Sequence, residues 1–416
     1  MAGELCQRCG APGSPAGIPA SCGICRLPAT LPGSAVTSAA WLSAFRRGGS
    51  LGQVLVEYRR AGRITQQQLA DLLGFDRTYI SMIETGRRAV ADHSTLAHVA
   101  RTLAIPPHLL GLAAADDADF ASMLEFGHAV IRLAEVARHG GRAAAAVTEL
   151  WPLIIRLQAR IAAGFTEPAV IRLLAEARVE LGVALGHLLP DERLATAAWW
   201  TGRALRLAWD LGDRRLLAAV LRMHGNELRK AGHPAASIVR LRQSLQVEDE
   251  PASTGAGLVL LARAASQAGQ PALFDVACAR SVQLLERSTG REEVLLSEFT
   301  VREVRIRGLL ATGRTARAIQ LAGQQSASGE PPTPQWRAIE QITTAEALAS
   351  AGEQNTAAAM LAAAVTAGEA LRLPHQLQRV IQLTGPAAVL ASNPVGEQAA
   401  GALARVERQL AGTARP

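Results

Sequence analysis

Four cysteines near the N-terminus are spaced as two pairs of thiols that could hold one metal ion. Cys6 and Cys9 form the first pair, and Cys22 and Cys25 form the second pair after twelve intervening residues. Each CxxC turn can point two thiolates at the same ion, and two such turns complete a tetrahedral site. Four protein ligands leave no open position for a substrate, so we expect a structural zinc ion in a module of residues 1–27. An iron centre, a redox disulfide and a remnant that binds no metal are the alternatives.

The distribution of charge indicates the compartment and the class of partner. The 416 residues carry 43 basic and 36 acidic side chains, a formal net charge of +7. Nine arginines and five acidic residues lie between residues 45 and 112, so the basic excess is densest there, as suits a polyanionic partner. A general bias toward arginine is the alternative explanation. The sequence shows no signal peptide and no run of about 20 apolar residues. We therefore expect a cytoplasmic protein with reduced thiols and no membrane partner.

Residues 50–110 carry the start and stop signals of short helices joined by tight turns. Ser50 and Thr65 are each followed three residues later by a glutamine, which is the pattern of a capping box. Asp76 can cap a third helix, in which Ile80 and Ile83 recur at the spacing of one buried face. The glycines that predict the ends of these three helices are Gly62, Gly74 and Gly86.

The segment 65–88 resembles the helix-turn-helix of the phage-repressor and Cro type of transcriptional regulator. The similarity continues through residues 94–103 and 105–110, which look like the fourth and fifth helices of that family. The resemblance implies a five-helix domain, here residues 46–114, that binds double-stranded DNA with its third helix in the major groove. Ala70 is small where two crossing helices should approach closely. Arg59 and Glu84 occupy positions that often pair across helices in this family, so we assign them a structural role.

The same resemblance assigns DNA contacts to residues in and around the third helix. Arg77, Thr78 and Met82 are the candidates for base edges, because a guanidinium can donate two hydrogen bonds to guanine and the other two can touch a thymine methyl group. Tyr79 is a further candidate, for a base or a phosphate. Each arginine could instead be a solvated surface charge. The remaining expected contacts are to phosphate and come from Gln66, Arg87 and Arg88.

From residue 117 to residue 411 the sequence alternates helix-period segments with short Gly or Pro breaks. Corners made of a small residue and a glycine recur at intervals of 37, 44 and 39 residues, and alanines at helical spacing follow each of them. A helix, a corner and a second helix with a small contact face form a unit that stacks on the next unit. The four corner glycines are Gly232, Gly269, Gly313 and Gly352.

One of these units, residues 216–236, resembles a tetratricopeptide repeat. The resemblance implies about six or seven helix pairs in a right-handed superhelix with a concave inner surface. An irregular α bundle without a groove is the alternative. Asn226 could grip a peptide backbone from the inner surface through its donor and its acceptor, or it could make an interhelical hydrogen bond. Residues expected to pack in the core are Trp199, Trp200, Trp209 and Cys278.

The sequence therefore predicts an all-α protein with a zinc module, a linker (residues 28–45), a DNA-binding domain and a tetratricopeptide-like superhelix. This order resembles the peptide-responsive regulators of Gram-positive bacteria, whose usual plan has no cysteine module. The resemblance implies a homodimeric transcriptional regulator whose repeats sense a peptide or protein ligand. The alternative is a zinc- and repeat-based interaction scaffold with secondary DNA binding. We expect no enzyme, because the single lysine, Lys230, follows no Gly-rich phosphate loop and no HExxH motif occurs.

Overall fold

The computed structural model describes residues 50–90, 92–103, 110, 118–162, 167–248, 250–287, 294–324, 331–386, 388, 390–391 and 393–410. Within those ranges every regular element is a helix and no strand occurs, so the all-α prediction is confirmed. The linker and residues 105–109 of the expected fifth helix lie outside the described residues. So do the four predicted zinc ligands, Cys6, Cys9, Cys22 and Cys25.

Four short helices form the N-terminal unit. They are α1 (Leu51–Gly62), α2 (Gln66–Leu73), α3 (Arg77–Glu84) and α4 (His93–Thr102). The capping boxes predicted at Ser50 and Thr65 are both formed, and a carboxylate oxygen of Asp76 accepts a hydrogen bond from the backbone N–H of Thr78 at 2.6 Å. These side chains satisfy N–H groups that the start of a helix leaves unpaired. The four helices share one apolar core, which includes Leu55, Leu69, Ile80 and Val99.

Residues with left-handed backbone follow the first three helices. Gly74 (φ 67°) lies directly after α2, and Gly86 (φ 72°) lies two residues after α3, as predicted. The first helix ends at Gly62, also as predicted, but the left-handed residue there is Arg63 (φ 52°). Its N–H bonds back to carbonyl groups in the last turn of α1, and these hydrogen bonds offset the steric cost of a left-handed residue that is not glycine.

The remaining fourteen α-helices of the described residues form seven consecutive helical hairpins. The odd-numbered helices also contact the next odd-numbered helix along the chain, so they form a continuous inner layer. A short 3₁₀ turn, Asp191–Arg193, precedes α8. The hairpins are α5 (Ala118–His139) with α6 (Ala143–Ala162), α7 (Pro168–Leu188) with α8 (Leu194–Leu211), α9 (Arg214–Lys230) with α10 (Pro234–Val247), α11 (Pro251–Gln267) with α12 (Pro271–Arg287), α13 (Glu298–Ala311) with α14 (Thr315–Ala322), α15 (Pro334–Ser350) with α16 (Gln354–Ala370), and α17 (Pro374–Leu383) with α18 (Val395–Leu410).

The same hydrogen-bonded corner joins the two helices in four consecutive hairpins. Gly232, Gly269, Gly313 and Gly352 have φ angles of 82°, 66°, 74° and 91°. The N–H of the residue after each glycine donates to the carbonyl oxygen five residues back, at distances of 2.8 to 3.0 Å. This is the Schellman arrangement, in which a glycine takes the left-handed position at no steric cost. The predicted corners are therefore confirmed.

The end of this array packs against its beginning. Helix α17 contacts α7 and the 3₁₀ turn, and helices α5–α8 share one apolar core with α15–α18. At this junction the backbone N–H of Asp191 donates to Oε1 of Gln378 at 2.8 Å, and Nδ1 of His375 contacts Oδ1 of Asp191. The concave surface expected from the sequence therefore forms the wall of a partly open interior cavity.

The residues expected in the core differ in how far they are buried. Trp200 is buried, and the rings of Trp151 and Trp199 lie edge-on to it at centroid distances of 5.5 and 4.8 Å. Trp209 is 43% exposed, because nine residues along a helix place it on the face opposite Trp200. The packing prediction is therefore wrong for Trp209. Cys278 is buried, as predicted, and burial raises the pKa of its thiol to about 12.

Candidate functional site

The N-terminal turn of α3 projects from the domain surface. Ile80 and Ile83 are buried in the core, which fixes one face of the helix inward. Arg77 and Thr78 are exposed in the first turn, and Met82 is half-buried one turn further along. The Asp76 cap sets where the helix begins, so it also sets where these side chains emerge. The structure thus leaves Arg77 and Thr78 open to a partner and Met82 partly so.

A single carboxylate ties α3 to the two preceding helices. Nε of Arg59 donates to Oε1 of Glu84 at 2.6 Å, and a second guanidinium nitrogen donates to Oε2 at 2.9 Å. The amide of Gln66 also donates to Oε2, at 2.7 Å. Burial favours the neutral acid, but hydrogen bonds from Arg59 and Gln66 hold the pKa of Glu84 below its ordinary value. The predicted pairing of Arg59 with Glu84 is confirmed.

The contacts of Gln66 differ from the prediction made for them. Its side-chain amide nitrogen is engaged by Glu84, so it does not point toward a phosphate. The residue still opens α2, where the backbone N–H groups of a helix start can hold an anion. The sequence pattern gave no sign of this hydrogen bond, because the two residues are 18 positions apart and belong to different helices.

Helices α1 and α3 approach most closely at a glycine that the sequence analysis did not single out. A Cβ atom on Gly52 would lie 2.2 Å from the carbonyl oxygen of Ile83, so no larger residue fits without moving α3. Ala70, which was expected to be small where α2 and α3 cross, is buried in the core. For the approach of α1 to α3, the signal available in the sequence was a glycine two residues after the Ser50 cap.

The aromatic ring of Tyr79 supports an arginine at the end of the helix-turn-helix. The ring is half-buried and lies edge-on to Phe75, with 5.3 Å between centroids. The guanidinium of Arg88 lies over the Tyr79 ring, 5.0 Å from its centroid. Arg87 is exposed beside it. Among the described residues, none of Arg77, Arg87 and Arg88 forms an ion pair with a carboxylate. Their charges therefore remain available to an anionic partner.

This geometry agrees with the comparison to known protein families. The model of a family described as a helix-turn-helix domain matches residues 50–112. Residues 50–112 are a helix-turn-helix domain. The match is confined to this part of the 416-residue chain. No curated protein matches the chain.

The described parts of the chain hold neither a cluster of metal-binding side chains nor a membrane-spanning helix. No group of three or more His, Cys, Asp or Glu side chains there is arranged to hold a metal ion. No helix among those residues is long and apolar enough to cross a membrane.

The ligand-binding candidate Asn226 lines the interior cavity of the repeats. It is only 9% exposed, and both ends of its amide are engaged within α9. Its nitrogen donates to Oε1 of Glu227 at 3.2 Å, and its oxygen accepts from Arg229 at 3.1 Å. Both bonds lie within one helix, so the alternative of an interhelical bond is wrong, and the ligand-binding role of Asn226 stays a prediction. The same cavity is lined by arginines that the sequence pattern did not single out, among them Arg229 and Arg263.

The Glu84 network generates a prediction about the stability of the DNA-binding domain. Glu84 is 4% exposed and accepts three hydrogen bonds, so Glu84→Gln should destabilise the domain by about 1–3 kcal/mol. Since its folded pKa is lowered from 4.5, this stabilisation is present above pH 4.5 and is lost as pH falls through the folded pKa. Hydrogen exchange of the α2 and α3 amides in the full chain measures both effects.

The matched control is Glu57→Gln, which removes an exposed ion pair with Arg60 on α1. An exposed pair of this kind contributes about 0–1 kcal/mol, so the exchange rates should change little. Equal exchange in the two variants would show that Glu84 does not hold the three helices together.

Proposed function

We propose that this chain is a DNA-binding transcriptional regulator that reads the major groove with α3. The observation that carries the proposal is the exposure of Arg77 and Thr78 at the capped start of a helix whose opposite face is buried. The early residues of the recognition helix are those that reach base edges in helix-turn-helix proteins. The unpaired charge of Arg77, Arg87 and Arg88 favours DNA reading over a scaffold role in which this surface would be secondary.

The exposed residues divide into two roles by their surroundings. In the part of the chain that the structure describes, no aromatic ring lies against Arg77. Its planar guanidinium can therefore turn toward a guanine edge, and Thr78 and Met82 on the same helix can touch a thymine methyl group. Arg88 is held on the ring of Tyr79 and follows the helix with Arg87, which suits contacts to the phosphate backbone. Tyr79 then acts through Arg88, because its ring packs against Phe75 and against the guanidinium of Arg88.

The two roles predict different losses on substitution. A site would first be selected by the full-length protein from a random duplex library. Arg77→Ala should then reduce discrimination at one base pair by about 1–3 kcal/mol. Arg87→Ala should weaken binding to all duplexes alike. It should also reduce the slope of log affinity against log salt concentration by about one, the contribution of one phosphate contact. Fluorescence anisotropy at several salt concentrations measures both quantities.

Arg408→Ala serves as the control, since Arg408 is an exposed arginine on the last helix. It should leave affinity and discrimination unchanged. The proposal fails if the wild-type protein binds no duplex at low salt, and the base-reading role of Arg77 fails if Arg77→Ala keeps the wild-type ratio of selected to random duplex.

The proposed regulator is a homodimer that binds two half-sites. Helix α5 supports this, because Phe126 and Leu133 are 65% and 66% exposed and lie seven residues apart on one face. Large exposed apolar side chains on one stripe of a helix are typical of an interface, and helix-turn-helix proteins commonly pair to place two recognition helices one DNA turn apart. A second copy of the chain is the occupant we propose for this face.

The dimer generates its own prediction. The double variant Phe126→Asp with Leu133→Asp should shift the protein from dimer to monomer in analytical ultracentrifugation, because a pair of carboxylates cannot be buried between apolar surfaces. Val276→Asp, at another exposed apolar position on α12, should leave the mass unchanged. A wild-type protein that sediments as a monomer at high concentration contradicts the proposal.

A structural zinc ion held by Cys6, Cys9, Cys22 and Cys25 completes the proposed regulator. The support is the spacing of the two CxxC pairs, which matches an all-thiolate tetrahedral site. Such thiols stay reduced in the cytoplasm, where a DNA-binding regulator acts.

Metal content tests this part of the proposal. The purified full-length protein should contain about one zinc ion per chain by elemental analysis. Cys22→Ser should lose the metal, whereas Cys278→Ser should retain it, because Cys278 is buried in the repeat core. Iron in place of zinc, or metal retained by Cys22→Ser, would contradict the assignment.

The repeats are proposed to sense a ligand and to change the arrangement of the two recognition helices. A ligand has this effect only if it binds one arrangement better than the other. The support is a cavity within the inner layer of helices, and its lining indicates the chemistry of the ligand.

A further inference from the structure

The interior cavity of the repeats is lined by more cations than carboxylates. Its volume is about 390 Å³, and its lining includes five positively charged residues and one acidic residue, Glu135. Among the described residues, Arg229 and Arg263 are the two of these cations with no carboxylate at salt-bridge distance. The paired cations are Arg138 with Glu180, Arg222 with Glu248 and Lys230 with Glu227.

The two unpaired guanidinium groups are held in place by neutral partners. Arg229 is 4% exposed, and it donates to the amide oxygens of Gln267 at 3.3 Å and Asn226 at 3.1 Å. Arg263 lies over the ring of Trp336, 5.4 Å from its centroid. Within the described residues the Nε atoms of both arginines are buried and have no hydrogen-bond partner. A buried donor without a partner costs free energy, and a ligand that accepts its hydrogen bond would offset that cost.

The register of the repeats brings a third arginine to the same cluster. Arg263 and Arg307 each lie six residues before a corner glycine, so they occupy the same position on successive inner helices. The neighbouring carboxylate is Glu303, which is fully buried and accepts a hydrogen bond from Thr343 at 2.8 Å. In the described residues it forms no salt bridge. Three arginines therefore share one uncommitted carboxylate, which leaves an excess of two positive charges.

The electrostatics agree with this excess. Burial lowers the pKa of Arg229 far below its ordinary value, and the charges of Arg263 and Arg307 lower it further. Burial and the charges of Arg379 and Arg263 lower the pKa of Arg307 to about 9. Keeping such groups charged without enough counter-charge is costly in a protein interior. An anion in the cavity would offset that cost.

We propose that this cavity binds a small molecule that carries a doubly charged oxyanion, and that a phosphate monoester is the chemistry it fits best. Two excess charges match a dianion, and guanidinium groups bind oxyanions through paired hydrogen bonds. The volume lies within the range of small-molecule sites. The ligand would bridge α9 and α11, which carry Arg229 and Arg263 and belong to two different hairpins. Any effect on DNA rests on the proposed function, whereas the site itself does not.

The test uses the full-length protein and inorganic phosphate at pH 8, with sodium chloride added to keep the ionic strength constant. Titration calorimetry should show saturable binding, and phosphate should raise the thermal unfolding midpoint whereas chloride should not. Arg263→Met keeps the apolar contact with Trp336 and should weaken phosphate binding roughly tenfold or more. Glu303→Gln keeps the hydrogen bond to Thr343 and should tighten phosphate binding, because it removes the shared negative charge.

The matched control is Arg314→Met. This arginine also lies over an aromatic ring, that of Phe274, but it pairs with Asp275 and does not line the cavity. It should bind phosphate like the wild type. If Arg263→Met does not fold, the opposite change expected for Glu303→Gln still tests the site.

Three results would overturn the proposal: no saturable phosphate binding, equal effects of Arg263→Met and Arg314→Met, or loss of phosphate binding in Arg87→Ala, which would place the anion on the DNA-binding surface. Malonate that binds as tightly as phosphate would overturn the preference for a phosphate group.

Duplex binding is measured in parallel. A protein that binds duplex DNA but not phosphate contradicts this inference alone. A protein that binds phosphate but no duplex contradicts only the proposed function.

Discussion

A left-handed glycine after each of four consecutive inner helices sets the register of the repeat domain. The next N–H always bonds five residues back, so the chain reverses in the same way each time. Positions counted back from the glycine therefore correspond on successive inner helices, which is why Asn226, Arg263 and Arg307 come from equivalent places in three repeats. The uniform corner also lets the hairpins curve until α17 meets α7.

The features that could be predicted from the sequence are those decided within about five residues along the chain. The caps at Ser50 and Thr65 and the corner at Gly232 need only local hydrogen bonds, and all three formed as predicted. The partners of Gln66 and Asn226 could not be predicted in this way. The partner of Gln66 is a carboxylate 18 positions away that only the packing of helices brings near. Asn226 bonds within its own helix, but its amide has several local hydrogen-bonding options. The DNA contacts and the zinc ligands stay predictions.

The buried Glu84 of the helix-turn-helix domain is satisfied by hydrogen bonds, whereas the buried charges around Glu303 in the repeats are not all satisfied. Around Glu84, one carboxylate receives hydrogen bonds from Arg59 and Gln66, so the charge is satisfied and α3 is fixed against α1 and α2. Around Glu303, one carboxylate is shared among arginines that keep unused donors. The first arrangement suits a rigid reading surface, and the second suits a site that changes when an anion enters.

The contact between α17 and α7 gives the repeat domain no free end. A linear stack of repeats frays from its termini, because the outermost unit has one neighbour only. Here the first two and last two hairpins share a core, so detaching either end exposes apolar surface from both. The repeat domain should therefore unfold in one concerted step. Its assembly carries a kinetic cost, since the junction joins residues 184 positions apart and such distant contacts form late in folding.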